Sequence, residues 1–297
     1  MSRIILDCNM NNFYASVECM LDMNIRGLSL MVPFYSKMKE DGSCKDTQKY
    51  RRKKHLKCLS RKDIEEIAGR VLKAYYQLPD VAGTEAFRID PELLLTELLG
   101  LKIEYAHLSI DRSILGATTT VQMPIEIFCG DNSESSFYMD GKTVLIERDL
   151  KEDSTQQGRC NFSLAHESSH QILKMLFPHD YDADPQIAMV HYYRANSEKC
   201  KPIKDWYEWQ ANALASAILL PFEIIDRGMF LFGIDGKIKT LNKIYFPKVY
   251  EQFSNLAAFL GVSKTALAIR MKQLGLLENN HLDNPYCLID VDYNGGK

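Results

Sequence analysis

The sequence predicts an α+β fold, and three features point that way. Helix-spaced apolar residues follow residue 59, strand-like alternation fills residues 102–150, and two apolar helices with embedded polar residues come after the strands. Residues 236–297 read as a further helical region.

At the N-terminus, residues 4–6 read as a strand, "NNFYASVECML" as a helix and residues 28–32 as a second strand. Residues 36–58 have almost no apolar content and carry the run Arg51, Arg52, Lys53, Lys54. Such a composition buries too little surface to offset chain entropy, so a solvated, disordered linker is expected; a nucleic-acid or membrane patch is the other reading. "SRKD", beginning at Ser60, has the form of a capping box before "IEEIAGRVLKAYYQL", whose apolar positions keep helical spacing until Pro79. Asp90 and Pro91 open a short helix, "ELLLTELL", which Gly100 closes.

The period then changes to two in "LKIEYAHL", "ILGATTTV", "PIEIFC" and "TVLIERDL", with "GDNSESS" and "MDGK" as separators. Two helices follow, "NFSLAHESSHQILKMLF" stopped by Pro178 and "DWYEWQANALASAILL" stopped by Pro221, with Asp205 expected to cap the second. Residues 178–204 between them read as a long irregular loop over the site. Near the C-terminus "LAAFLGVSKTALAIRMKQLGLL" reads as helix, turn at Gly261, and a helix capped by Ser263. The expected division is therefore 1–35, 36–58, 59–235 and 236–297.

With 297 residues, 46% hydrophobic and 25% charged, the chain suffices for one large or two ordinary domains. A net charge of -3 gives no overall basic field, so direct nucleic-acid binding is not expected except through a local patch. The eight cysteines form no CxxC pair and read as reduced thiols. No secretory leader and no apolar run of ~18 residues is visible, so a cytoplasmic protein without membrane association is expected.

His166, Glu167 and His170 form H-E-x-x-H on a helix. The four-residue step puts both imidazoles on one face, able to share one zinc ion, with Glu167 beside the water that the metal activates. A hydrolytic zinc site needs a third protein ligand and an open position. Glu208 offers the oxygen, and Asn212, one turn later, a hydrogen bond that fixes a ligand imidazole; Glu208 as capping-box partner of Asp205 is the competing role. His179, Asp180, Asp182, Asp184 and His191 are further ligand candidates from the intervening loop. His191, Tyr192 and Tyr193 are candidates for oxyanion or substrate contacts. The extended metzincin pattern is excluded, because Leu173 and Leu176 stand where its glycine and third histidine belong.

With these motifs in place, residues 60 to about 235 resemble the ImmA/IrrE family of metallopeptidases. The matching stretches are "ILG", "TVLIERDL", "NFSLAHESSHQIL" and "EWQANALASAILLP", in that order. The resemblance implies a zincin-like fold, one zinc ion per chain held by His166, His170 and Glu208, and Glu167 as catalytic base. It also implies a protein substrate, typically a helix-turn-helix transcriptional repressor whose cleavage releases stress-response or mobile-element genes. Ser168 and Ser169 replace the family's bulky residue and glycine, and Leu220 replaces the Met before Pro221. An exposed strand of residues 102–150 at the cleft would let an extended substrate add as a further strand.

The first 35 residues resemble the opening of Y-family DNA polymerases in "CNMNNFYASVE" and "NIRGLSLMV". Asn9 stands where that family has its metal-binding Asp, and an amide is a poorer magnesium ligand; Asp7 compensates only partly. With no counterpart of the remaining palm and fingers, residues 1–35 read as a fragment without polymerase activity. Two function classes are thus expected: a zinc endopeptidase, or a non-catalytic regulatory or DNA-binding protein on a zincin scaffold. The C-terminal Lys264, Arg270 and Lys272 would serve the second, although a tail packed on the catalytic domain is the expected role of that segment.

Overall fold

Ser60 caps the first helix of the computed structural model, which describes residues 59–83, 87–119, 121–178, 190–194 and 204–286, with the backbone alone at 190–194, 204 and 205. These residues lie within Cys58–Lys297, one of two units into which the chain divides. The expectations for residues 1–58 fall outside the described residues.

Helix α1 (Arg61–Tyr75) carries the expected capping box: the Ser60 hydroxyl accepts from the Asp63 amide, and the Asp63 carboxylate accepts from the Ser60 amide at 2.8 Å. Its buried face is drawn from Ile64, Ile67, Val71 and Leu72. Asp90 caps α2 (Pro91–Leu93), which continues as a π-helical turn over Leu94–Leu98; Gly100, at φ 64°, then reverses the chain.

Strands β1 (Lys102–Ala106), β2 (Ile114–Thr119), β3 (Met123–Phe128), β4 (Glu134–Met139), β5 (Thr143–Glu147) and β6 (Val190–Arg194) form two sheets. The four-stranded sheet has the order β1-β5-β2-β6, with β1 parallel to β5 and β2 antiparallel to both neighbours; β3 and β4 form a hairpin. All five residues of the inner strand β5 are buried, which explains its nearly continuous apolar run.

Two of these strands correct the sequence reading. "GDNSESS" is not only a separator, since Glu134 already begins β4, which is exposed along most of its length and so lacks an apolar alternation. Residues 178–204 are not uniformly irregular either: Val190–Arg194 pairs with β2 and forms an edge of the sheet.

After α3 (Arg148–Glu152) and a short 3-10 turn come α4 (Gln157–Leu176) and α5 (Lys204–Leu219). Helix α4 lies between the sheet and α5, touching β2, β5 and β6 on one side and α5 on the other, so it is buried nearly all round. Leu115, Val144 and Ile146 of the sheet pack with Cys160 and Leu164 of α4, while Ala117 and Leu145 pack with Ile125 and Met139 of the hairpin. The sheet is therefore filled on both faces.

Helices α6 (Phe222–Leu231), α7 (Pro247–Phe259) and α8 (Lys264–Gln273) follow, with β7 (Ile238–Leu241) and β8 (Leu277–Asn280) in a parallel pair. The turn between α7 and α8 is the expected one, with Gly261 at φ 66° and the Ser263 hydroxyl accepting from the Ala266 amide. This turn packs on the start of α4, where Asn161 Nδ2 donates to the Gly261 carbonyl at 2.8 Å. The fold is α+β, with small sheets and packed helices. Among the described residues no helix is long and apolar enough to cross a membrane.

Candidate metal centre

Helix α4, packed between the sheet and α5, carries His166, Glu167 and His170 in its buried middle. The exposures of the three are 0%, 0% and 1%. One helical turn separates the histidines, and their Nε2 atoms converge to 3.1 Å. From α5, Glu208 completes the group: Oε2 lies 3.1 Å from His166 Nε2 and Oε1 lies 3.4 Å from His170 Nε2. Ala211 and Ala215, both fully buried on α5, keep that helix slim where it meets α4. Glu208 is about one-third exposed, so the group reaches solvent through it. These three residues form a cluster able to hold a metal ion.

Asn212 supplies the bond that orients a ring. Its Oδ1 accepts from His166 Nδ1 at 3.1 Å, which places the proton on Nδ1 and turns the Nε2 lone pair toward the cluster. Ser168 and Ser169 are buried, and their hydroxyls donate to the carbonyls of Leu164 and Ala165, each at 2.7 Å. Both serines therefore satisfy themselves within the helix and leave the cluster alone.

Glu167 is different. Both of its carboxylate oxygens are buried without a hydrogen-bond partner among the described residues. Burial, and secondarily the Glu208 carboxylate, push the Glu167 carboxyl well above the usual carboxylate range. A buried carboxylate with no partner is costly, and a neighbouring cation removes much of that cost. Two imidazoles and a carboxylate converging beside an orphaned carboxylate fit a divalent cation.

A second group able to hold a metal, His107, Glu147 and Asp149, was not foreseen from the sequence. Its polar atoms already serve one another. His107 Nδ1 lies 2.6 Å from Glu147 Oε1, Glu147 Oε2 accepts from the Leu108 amide at 2.8 Å, and Arg112 faces Asp149 at 3.8 Å. We assign this group to the fold, where it closes the ends of β1 and β5.

Of the remaining candidates, His191, Tyr192 and Tyr193 lie on β6, in register with Thr118, Ala117 and Gly116 of β2. His179, Asp180, Asp182 and Asp184 fall outside the described residues. Helix α5 starts at Lys204, which places Asp205 inside the helix rather than at the expected cap. The edges of the four-stranded sheet are β6, beside β2, and β1, which lies within residues 102–150. Sequence reasoning also missed Gly116 on β2, whose position in a strand pattern was the available signal. Neither the models of known protein families nor the curated proteins contain a match to this chain, so its chemistry has to be read from the residues themselves.

Proposed function

We propose that this protein is a zinc-dependent endopeptidase that hydrolyses a peptide bond in a protein substrate. The observation that carries the proposal is the meeting of His166, His170 and Glu208 around one point, with the unpartnered carboxylate of Glu167, the residue after His166, near enough to feel the Glu208 charge. Two nitrogens and one oxygen suit zinc, and their separations of 3.1, 3.1 and 3.4 Å approach the edge of a tetrahedron with ~2.1 Å bonds, about 3.4 Å. Three protein ligands leave one position open, which is the arrangement of a hydrolytic rather than a purely structural site.

Zinc held there would supply Lewis acidity and bring a water within reach of deprotonation near neutral pH. His166, fixed by Asn212, and His170 are ligands presented from one helix face, and Glu208 closes the set from the facing helix. Glu167 accepts a proton from the attacking water and returns it to the leaving amine, the role of a general base and then acid. Burial between α4 and β2 keeps bulk water from that carboxylate, which strengthens its interaction with a developing charge. The zincin-like architecture and the ImmA/IrrE resemblance of residues 60 to about 235 belong to the same proposal. From that resemblance comes the substrate class, a helix-turn-helix transcriptional repressor in a cytoplasmic stress or mobile-element circuit.

The alternative of a non-catalytic DNA-binding scaffold is less well supported. Of the basic residues on α8, Arg270 is 3% exposed and committed to Leu220 and Glu65. The test is metal analysis of the purified chain beside Glu208→Ala. About one zinc per chain in the parent, lost or weakened in the variant, is expected. Zinc-free parent under metal-replete conditions would contradict the proposal.

A further inference from the structure

The strand that faces Glu167 carries an irregularity with a consequence for its carboxylate. Between β2 and β6, Ile114 pairs with Arg194 and Gly116 pairs with Tyr193, so two steps along β2 match one along β6. Leu115 is the extra residue of a β-bulge. Leu115 packs toward α4 with Val144 and Ile146, and Gly116, opposite Ile146, faces the same way. Alternation resumes afterwards, with Ala117 toward the hairpin and Thr118 toward Gln171 of α4.

Glycine is unfavourable inside a strand and needs a reason. The backbone does not supply one, because Gly116 is not among the residues with positive φ. Contact does. A Cβ at position 116 would lie 2.7 Å from Glu167 Oε1, 3.0 Å from its Cγ and 3.2 Å from its Cδ. All three nearest atoms belong to the same side chain, and the space left by the missing Cβ is the space the Glu167 carboxylate uses.

We propose that Gly116 is a positioning residue: by lacking a side chain within the bulge, it sets where the Glu167 carboxylate lies relative to the His166, His170 and Glu208 cluster. An alanine there forces the carboxylate back by about 0.7 Å merely to restore a 3.4 Å contact. What must give way is the Glu167 side chain from its Cγ outward, and none of the three nearest atoms is backbone, so the substitution acts first on that carboxylate. Its consequence for catalysis rests on the zinc-peptidase reading; the contact itself does not.

The test uses the full chain. Gly116→Ala is expected to bind zinc as the parent does, since its contacts are to Glu167 rather than to the three ligands. Its kcat on the repressor substrate should fall by roughly 100-fold, the scale of an ångström-sized misplacement, with KM little changed. A parental kcat in Gly116→Ala at parental zinc content, or a loss that appears in KM alone, would overturn the inference. A readout independent of cleavage comes from thermal melts of the metal-free parent, Gly116→Ala, Glu167→Ala and the double variant. The effect of Gly116→Ala should shrink when Glu167 is already truncated, and a Gly116→Ala chain that fails to fold should fold again in that background. Equal effects in both backgrounds would overturn the contact. If the parent cleaves nothing, the peptidase reading falls and these melts alone decide whether Gly116 places Glu167.

Discussion

At the scale of single residues, Glu167 is the side chain whose chemistry departs furthest from its ordinary state. Burial and the Glu208 carboxylate raise its carboxyl pKa in the metal-free fold, so the folded chain holds a proton that the unfolded chain releases above its own pKa near ~4.3. The sign follows: this contribution favours the fold fully below the unfolded value and is lost as pH rises toward the folded value. Denaturant unfolding of the metal-free parent should therefore show declining stability from pH 5 to pH 8 relative to Glu167→Gln, which cannot ionise there. Parallel pH profiles for the two proteins would mean that the carboxyl is not strained by its surroundings. The H-E-x-x-H spacing and the Glu208–Asn212 step were legible in the sequence because helical periodicity maps directly onto a face. The role of Gly116 was not, since it depends on a contact between residues 51 positions apart.

At the scale of elements, two helical glycines behave in opposite ways. Gly69 on α1 is exposed, with nothing within 4 Å of a Cβ built there, whereas a Cβ on Gly158 would come within 2.7 Å of the Val262 carbonyl carbon. Gly69→Ala should stabilise the fold by about 0.5–1 kcal/mol through helix propensity. Gly158→Ala should instead destabilise it by about 1–3 kcal/mol, because backbone rather than a side-chain tip must move. Paired unfolding curves check both signs, and a stabilising Gly158→Ala would show that the α7–α8 turn does not rest on α4 as described.

The same scale shows where sequence patterns stop being informative. Capping boxes and helical stripes are local, so α1, α4 and α5 were legible to within a few residues. Strand β4 was hidden by its exposed polar half, and β6 by a partner that lies more than 70 residues earlier in the chain. The bulge in β2 escaped notice because "ILGATT" is buried along nearly its whole length, leaving no alternation to break.

At the scale of the whole described unit, the C-terminal helices are joined to the cluster-bearing helices by specific polar contacts. Arg270 Nε donates to the Leu220 carbonyl at 2.9 Å, at the end of α5, and its guanidinium meets Glu65 of α1. This pairing gives Leu220 a role through its carbonyl that does not depend on its side chain. Arg270→Ala should lower stability by about 1.5–3 kcal/mol, the worth of charge-assisted hydrogen bonds lost from a buried group. It should leave any weak retention on DNA, and the salt dependence of that retention, unchanged. A shallower salt slope without a stability loss would move the segment toward the DNA-binding alternative.

The measurement that bears most directly on the central proposal is cleavage of a helix-turn-helix repressor by the parent and by Glu167→Gln at matched zinc content. A zinc endopeptidase cuts the repressor with the parent only, while both proteins carry about one zinc per chain. Equal cleavage by the two zinc-loaded proteins would contradict the assignment of Glu167 as the proton-transferring residue and, with it, the proposed catalytic site.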